Sequence, residues 1–295
     1  MKLNEINFVI FHKNCPDGFG SAWIVNKFLK KNIEYKGIPA SFDYEKISKF
    51  IKDKNLLILD LSFSSNDLKK IKKITKNFLL IDHHLTYYDE INNNKNVELD
   101  KTHSAIYLTW KKFFPNQKVP LFIKYIEDND IRSNKYKETE AFKTALPIKY
   151  PFKNQTNFDF WNNLLKEKNV KDLINIGNKY LEYKNYLLDI NTFHLGKIYK
   201  IKDKEFNKYS IILINKTVTG LNSDLADLFL KKNPKIDIVI LWTLISNNNE
   251  EQNSLILRTL KENIDLSKLA KIYDGGGHSK AAHFFYKKNI KTLFK

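Results

Sequence analysis

Residues 79–84 read Leu-Leu-Ile-Asp-His-His, an apolar run that stops abruptly on one acid and two histidines. Residues 56–60, Leu-Leu-Ile-Leu-Asp, repeat the pattern and end on Asp60. Apolar runs without polar alternation are typical of strands covered on both faces, as in a parallel sheet with helices on either side. Ligands bind such sheets just beyond the carboxyl ends of the strands. We therefore expect the polar residues at both ends to converge at one edge of a sheet.

Strand-like and helix-like segments alternate through the first half of the chain. Another apolar run ends at His12. A helix that Ser65 or Asn66 caps is predicted between the two runs described above. The predicted strands cover residues 6–11, 33–38, 56–60, 79–84 and 97–99. This alternation predicts parallel βαβ units, and therefore a Rossmann-like α/β domain.

The chain of 295 residues has room for two domains of ordinary size. We place the parallel-sheet domain at residues 1–150. Residues 151–195 show helical spacing without intervening strands and are predicted to form a helical connector. Strand-like segments then return, so residues 196–295 are predicted to form a smaller α/β domain.

The composition indicates a soluble globular protein. Hydrophobic residues make up 42% of the chain, which is too apolar for a disordered protein. No apolar stretch approaches the roughly 20 residues needed to cross a bilayer, and the N-terminus lacks the apolar segment of a secretory signal. Cys15, the single cysteine, excludes an internal disulfide framework and a cysteine-based zinc site. We expect a cytoplasmic protein without membrane contact.

The formal charge of +17 would attract phosphate-rich partners, yet all but two of the 50 basic residues are lysine. Together with the abundant asparagine, this bias is also what an AT-rich genome produces, so the charge alone does not establish a nucleic-acid surface. The same bias makes Arg132 and Arg258 more informative. Arginine offers phosphate or carboxylate oxygens a planar fork, which lysine cannot do.

A mixed set of carboxylates and imidazoles is expected at the edge of the first domain. It comprises His12, Asp17, Asp60, Asp82, His83 and His84. Such a set suits Mn²⁺ or a similar divalent ion, with Mg²⁺ as an alternative. A carboxylate that bridges two ions about 3.5–4 Å apart would form a clamp for phosphoryl transfer and supply hydroxide near neutral pH. A lone aspartate at a strand end is usually a turn or cap residue, so the inference depends on the combination.

Two further groups of polar residues extend the candidate site. An acidic cluster at residues 127–130 follows an apolar segment, although such clusters are usually solvated loops. In the second domain, three consecutive glycines can present backbone N–H groups to an anion, more strongly if a helix follows them. The predicted substrate-binding residues are Arg258, Gly275, Gly276, Gly277 and His278. The alternative for the glycines is a flexible turn.

These motifs resemble the DHH phosphoesterase superfamily, and the resemblance covers nearly the whole chain. Its first domain has a similar set of motifs: the Asp-His-His sequence, a histidine and an aspartate upstream of it, and a strand that ends on an aspartate, here Asp60. Residues 274–282, Asp-Gly-Gly-Gly-His-Ser-Lys-Ala-Ala, are similar to the DHH-associated domain that follows. Within the superfamily the chain is most similar to the nano-RNase and RecJ-like group. The resemblance implies a metal-binding catalytic domain followed by a substrate-binding domain.

The resemblance also implies individual roles. The implied ligands of two divalent ions, commonly Mn²⁺, are His12, Asp17, Asp60, His83 and Asp128. Asp60 would bridge the ions, Asp82 would orient the histidines, and His84 would contact the scissile phosphate. Asp128 is preferred to Asp130 because it directly follows the apolar segment.

One position departs from the superfamily pattern. Its first motif usually carries two acids, spaced Asp-x-Asp, whereas this chain has Cys15-Pro16-Asp17, so that Cys15 replaces the first acid. A neutral thiol is a poor ligand for a hard cation, and a thiolate favours softer metals. The sequence therefore predicts either one bound ion or two.

The leading prediction is a phosphodiesterase that cleaves short RNA or DNA oligonucleotides, or dinucleotides, by attack of metal-bound hydroxide on phosphorus. One alternative is a phosphatase acting on pyrophosphate, polyphosphate or small phosphomonoesters. Another is a non-catalytic relative that binds nucleotides or RNA. The sequence does not fix the oligomeric state, for which a homodimer is one alternative.

Overall fold

The computed structural model describes residues 1–30, 33–39, 42, 44–153, 157–191, 197–215, 222–247 and 250–295. The chain divides into two compact units, Met1–Leu181 and Glu182–Lys295. Within the described ranges, no helix is both long and apolar enough to span a membrane.

The first unit is built on a five-stranded parallel sheet. Its strands are β1 (Phe8–His12), β2 (Glu34–Ile38), β3 (Asn55–Leu59), β4 (Asn77–Asp82) and β5 (Val97–Leu99). Their order across the sheet is β2-β1-β3-β4-β5. The strands β1, β3 and β4 are therefore neighbours whose carboxyl ends lie at the same edge. This arrangement confirms the predicted parallel α/β sheet.

Helices cover both faces of this sheet. They are α1 (Pro16–Leu29), α2 (Tyr44–Ile51), α3 (Ser65–Ile74), α4 (Tyr88–Ile91), α5 (Ala105–Phe113), α6 (Leu121–Asp130), α7 (Thr139–Lys149) and the first part of α8 (Glu167–Asn191), which belongs to this unit as far as Leu181. Alternate positions of each strand enter different cores: Val9 and Leu57 belong to one, and Phe8 and Leu56 to the other. Because both faces are buried, the strands show apolar runs without alternation.

The start of α3 differs from the prediction. Its N-cap is Ser64, whose hydroxyl oxygen accepts a hydrogen bond from the backbone N–H of Asp67 at 3.1 Å. Ser65 and Asn66 already lie within the helix, so neither can be the cap. The correction moves the start of the helix by one or two residues and leaves its buried face unchanged.

The segment predicted as a connector, residues 151–195, falls on both sides of the division between the units. Trp161 and Leu173 are buried in the larger core of the first unit. The ring of Trp161 lies 4.9 Å from that of Phe19, which belongs to α1. Burial of these large side chains makes the first part of the segment a component of the first unit. The last part, residues 192–195, lies outside the described residues.

The second unit contains a mixed sheet of six described strands. They are β6 (Ile198–Tyr199), β7 (Ile211–Asn215), β8 (Ile238–Asn247), β9 (Glu250–Arg258), β10 (Gly276–His278) and β11 (Ala281–Tyr286), in the order β10-β11-β9-β8-β7-β6. Helix α9 (Asn222–Lys232) packs on one face, and α10 (Leu266–Ile272) packs on the other. The predicted smaller α/β domain is therefore confirmed as an α/β unit.

Candidate metal centre

Three neighbouring strands end at one edge of the first sheet with polar residues. His12 is the last residue of β1, Asp60 directly follows β3, and Asp82 is the last residue of β4. The two histidines after Asp82 extend the same edge. Because these strands are parallel and adjacent, their ends bring together side chains that lie far apart in the sequence.

In the described part of the chain, candidate ligand atoms form three overlapping groups, each with all its atoms within 4.8 Å of one another. The groups are Asp60, Asp82, His83 and His84; His12, Cys15 and Asp60; and Asp17, His83 and Asp130. Asp60 and His83 each belong to two groups. The three groups are therefore parts of one candidate metal centre.

Asp60 lies in the middle of this centre. Its backbone has a φ of 57°, in the left-handed region that aspartate tolerates better than most residues. Its Oδ2 lies 3.2 Å from Nδ1 of His12, whereas its Oδ1 lies 3.5 Å from Nε2 of His83. Burial opposes ionisation, but the hydrogen bonds with His12 and His83 lower the pKa of Asp60 below its ordinary value. The two oxygens of an ionised Asp60 thus face different groups of candidate ligands.

His83 is surrounded by carboxylates. Its Nε2 lies 3.1 Å from Asp130, 3.5 Å from Asp60 and 3.6 Å from Asp17. Burial would lower the pKa of His83, but the hydrogen bond with Asp60 and the charges of Asp17 and Asp130 raise it to about 9. Burial and the charges of Asp60 and Asp130 also raise the pKa of Asp17. The mutual repulsion of these buried and half-buried carboxylates is what a divalent cation would offset.

The N-terminus of α5 holds the carboxylate of Asp17. The backbone N–H groups of Ala105 and Ile106 donate hydrogen bonds to its two oxygens at 2.9 and 2.7 Å. The first N–H groups of a helix have no partner within the helix, and the helix dipole favours an anion there. These bonds fix the buried Asp17 in the position from which it also faces His83.

The structure corrects the choice of Asp128 over Asp130. Both lie at the end of α6, where residues two apart point about 200° away from each other. Asp130 faces His83, while Asp128 accepts hydrogen bonds from the segment that follows. Its donors are the hydroxyls of Ser133 and Thr139 and the backbone N–H groups of Lys135 and Tyr136. If helical spacing is extended through the apolar segment to residue 130, it places the two acids on different faces.

Asp82 contacts His84 directly. Its Oδ1 lies 2.7 Å from Nδ1 of the imidazole, and this hydrogen bond raises the pKa of His84 despite burial. The other oxygen, Oδ2, is buried and has no hydrogen-bond partner among the described residues. An unpaired buried oxygen costs free energy, so its position beside the ligand groups fits a centre that a cation completes.

Cys15 weakens one side of the centre. Burial, followed by the charges of Asp60 and Asp17, raises the pKa of its thiol far above the ordinary value. The thiol is therefore neutral at physiological pH and a poor ligand for a hard cation. On the side of His12, Asp60 is the candidate anionic ligand, whereas Asp17 and Asp130 are the candidate anionic ligands on the side of His83.

A pocket of about 390 Å³ opens at the centre. Its lining includes His12, Asp60, His84, Phe42, Ser62 and Tyr87. The rings of Phe42 and Tyr87 and several hydroxyl groups thus lie beside the ligand groups. Such a mixed lining can receive an organic group as well as a phosphate.

Arg258, the last residue of β9, is paired within the second unit. Its guanidinium donates three hydrogen bonds of 2.8–3.1 Å to the carboxylate of Asp227. This bidentate pairing occupies the guanidinium that was expected to contact a substrate. The predicted contact of Arg258 with substrate stays a prediction.

The three glycines lead into a hairpin and not into a helix. Gly276, Gly277 and His278 form β10, which pairs with β11 in antiparallel fashion, and all three are exposed. Gly277 has a φ of 141°, and a Cβ there would lie 2.5 Å from the carbonyl oxygen of Ala281. The turn alternative is therefore closer to the structure than a helix N-terminus. The predicted substrate-binding role of these glycines and of His278 stays a prediction.

The fold and the centre define a class: α/β proteins with carboxylate and imidazole ligands at the carboxyl edge of a parallel sheet. The chain aligns with the DHH domain of a member of a family of ribosomal proteins, with a TM-score of 0.58 and 14% identity, over 99% of this chain and 85% of that chain. It also aligns with a pGpG-specific phosphodiesterase from Vibrio cholerae, with a TM-score of 0.54 and 14% identity, over 96% and 93%. The chain therefore has the DHH fold, as its motifs predict.

A relative in sequence comes from a virus. An uncharacterized protein of Acanthamoeba polyphaga mimivirus is 29% identical in an alignment 300 residues long. The alignment covers 95% of this chain and 67% of the viral protein. No protein-family model matches the chain. The assignment to the nano-RNase and RecJ-like group stays a prediction.

Proposed function

We propose that the chain is a metal-dependent phosphodiesterase that hydrolyses short oligonucleotides or dinucleotides. The observation that carries this proposal is the position of Asp60. One of its oxygens faces His12, and the other faces His83 with its neighbours Asp17 and Asp130. A divalent ion held by these residues, for which we propose Mn²⁺, would supply an activated water and neutralise charge at phosphorus.

The residues around the ligand groups would act on the phosphate itself. Asp82 holds Nδ1 of His84 and favours the protonated imidazole. The Nε2–H of His84 is then available to donate a hydrogen bond to a phosphate oxygen. A donor held in advance stabilises the negative charge that develops on that oxygen during hydrolysis.

Two features favour a nucleotide over an inorganic phosphate. Phe42 and Tyr87 line the pocket beside His84, and aromatic side chains of this kind can stack on a base. The structural neighbour from Vibrio cholerae is named as a phosphodiesterase specific for pGpG, which is a dinucleotide. By analogy, we propose a short RNA or DNA substrate. We also propose that the protein forms a homodimer and acts in the cytoplasm.

A hydrolysis panel supplemented with Mn²⁺ tests this function. It compares RNA of two to five residues with longer single strands, cyclic dinucleotides, pyrophosphate and polyphosphate. We expect mononucleotides from the shortest RNA and little orthophosphate from pyrophosphate. Orthophosphate release without mononucleotides would instead favour the phosphatase alternative. Binding of dinucleotides without any cleavage would favour the non-catalytic one.

A further inference from the structure

A second pocket, of about 900 Å³, adjoins the candidate metal centre at the end of α6. Its lining includes Asp130, Arg132, Lys135 and Lys137. We call it the Arg132 pocket. Asp130 lies both in this lining and 3.1 Å from His83, so the pocket and the ligand groups share a wall. Neither the DHH motifs nor the predicted substrate-binding residues include its cations.

The buried Asp128 shapes the wall of this pocket. The segment after α6 folds around its carboxylate, which accepts hydrogen bonds from two hydroxyls and two backbone N–H groups. The fold places Arg132 at a φ of 53° and Asn134 at 54°, a conformation that is strained for arginine. The side-chain amide of Asn134 donates to the carbonyl oxygen of Arg132 at 3.2 Å and supports that conformation.

The pocket carries positive charge that the protein itself does not neutralise. Across the residues that the structure describes, Arg132, Lys135 and Lys137 form no ion pair, and all three are exposed. Lys143, which also lines the pocket, pairs with Glu140 at 2.7 Å. The carboxylate of Asp128 is occupied by its own hydrogen bonds. Three cations therefore remain available to an anionic ligand.

We propose that the Arg132 pocket binds a second phosphate of the substrate, adjacent in the chain to the phosphate that is cleaved. This inference rests on the proposed phosphodiesterase function. A substrate with its scissile phosphate at the ligand groups would reach the pocket past Asp130. The planar guanidinium of Arg132 can bind two phosphate oxygens at once, and the lysines add point charges. The pocket would thereby select phosphorylated ends.

Two substrates that differ in one phosphate test the proposal. The 5′-phosphorylated dinucleotide pApA and the dinucleoside monophosphate ApA contain the same scissile bond. For Arg132→Gln, we expect the ratio of kcat/KM for pApA to that for ApA to fall about tenfold, as loss of a charge-assisted contact predicts. Arg132→Lys should keep part of the preference. Lys111→Gln removes one charge from an exposed position of α5 outside the pocket and should keep the wild-type ratio.

An unchanged ratio in Arg132→Gln would overturn the proposal, as would an equal loss in Lys111→Gln. If the wild-type protein cleaves neither substrate, the proposed function fails, and calorimetric binding of pApA and ApA in Ca²⁺ takes over as the test. Tighter binding of pApA that Arg132→Gln abolishes would then still support the phosphate pocket. Equal binding of the two ligands by the wild-type protein would refute it.

Discussion

Nε2 of His83 lies 3.1 Å from Oδ2 of Asp130, a contact that joins the end of β4 to the end of α6. Asp128 precedes Asp130 by only two residues, yet it is buried among hydrogen-bond donors of the following segment. One acid is therefore placed to bind a cation, and the other holds the protein backbone.

The same substitution at these two positions should affect two different properties, metal affinity at Asp130 and the stability of the fold at Asp128. Asp130→Asn removes a charge beside His83, so we expect the affinity for Mn²⁺ to fall by about tenfold or more while the metal-free protein keeps its stability. Asp128→Asn disturbs four hydrogen bonds and should lower the free energy of unfolding by about 1–3 kcal/mol. Metal titration calorimetry and urea unfolding measure the two effects. The reverse pattern would restore Asp128 as the ligand.

Asp128 should also make stability depend on pH. Burial opposes its ionisation, but the hydrogen bonds from Ser133, Thr139 and the backbone lower its pKa below the ordinary value. A carboxyl with a lowered folded pKa stabilises the fold above its unfolded pKa of about 3.9, and that contribution is lost as the pH falls through the folded value. The difference in free energy of unfolding between wild type and Asp128→Asn should be constant above about pH 5 and shrink below about pH 4. Urea titrations across this range measure it; a constant difference would contradict the assignment.

Two buried glycines of α1 provide a matched test of how closely His12 is held. A Cβ at Gly18 would lie 2.4 Å from the carbonyl oxygen of His12, whereas one at Gly20 would meet the end of the Ile106 side chain at 2.2 Å. The backbone of His12 cannot move without displacing its imidazole, but Ile106 can change rotamer. Gly18→Ala should therefore raise the Mn²⁺ concentration for half-maximal activity by about tenfold. Gly20→Ala should change it much less; equal shifts would argue against a role for His12 in the centre.

Cys15→Asp should strengthen metal binding at a cost to the metal-free protein. The new carboxylate would join Asp60 and Asp17, whose charges already raise the pKa of the Cys15 thiol. We expect a lower Tm in chelator and a larger rise in Tm on addition of Mn²⁺, because binding to the folded state stabilises it by mass action. Cys15→Ser provides the neutral control and should show neither change. If Cys15→Asp shows no larger rise than Cys15→Ser, this position does not face the cation.

Most of the fold of the first unit could be predicted from the sequence, because the apolar runs and the polar residues that end them indicate the same parallel sheet. Apolar runs that stop on His12, Asp60 and Asp82 predict both the parallel sheet and the convergence of their ends. Prediction was less reliable where rotation about a helix decides the outcome. The difference between Asp128 and Asp130 depends on the register of α6, which an acidic cluster alone does not reveal.

The sequence pattern also does not predict contacts between residues that lie far apart in the chain. The pairing of Arg258 with Asp227 joins β9 to α9, across 31 residues, and no local motif predicts it. The hairpin after Gly275 depends on pairing with β11, a strand that was not predicted from the sequence. The acidic cluster at residues 127–130 is typical of a solvated loop, but it ends α6, and Asp128 holds the segment that follows in the wall of a pocket.

The proposed function requires that the candidate ligands around Asp60 and His83 hydrolyse phosphodiesters with a divalent ion. The most direct measurement is release of AMP from pApA by wild-type protein and by His83→Ala, each in Mn²⁺ and in chelator. We expect turnover only for the wild type in Mn²⁺, with a loss of at least about a hundredfold in His83→Ala. Equal release by wild type and His83→Ala, or release by the wild type that persists in chelator, would contradict the claim.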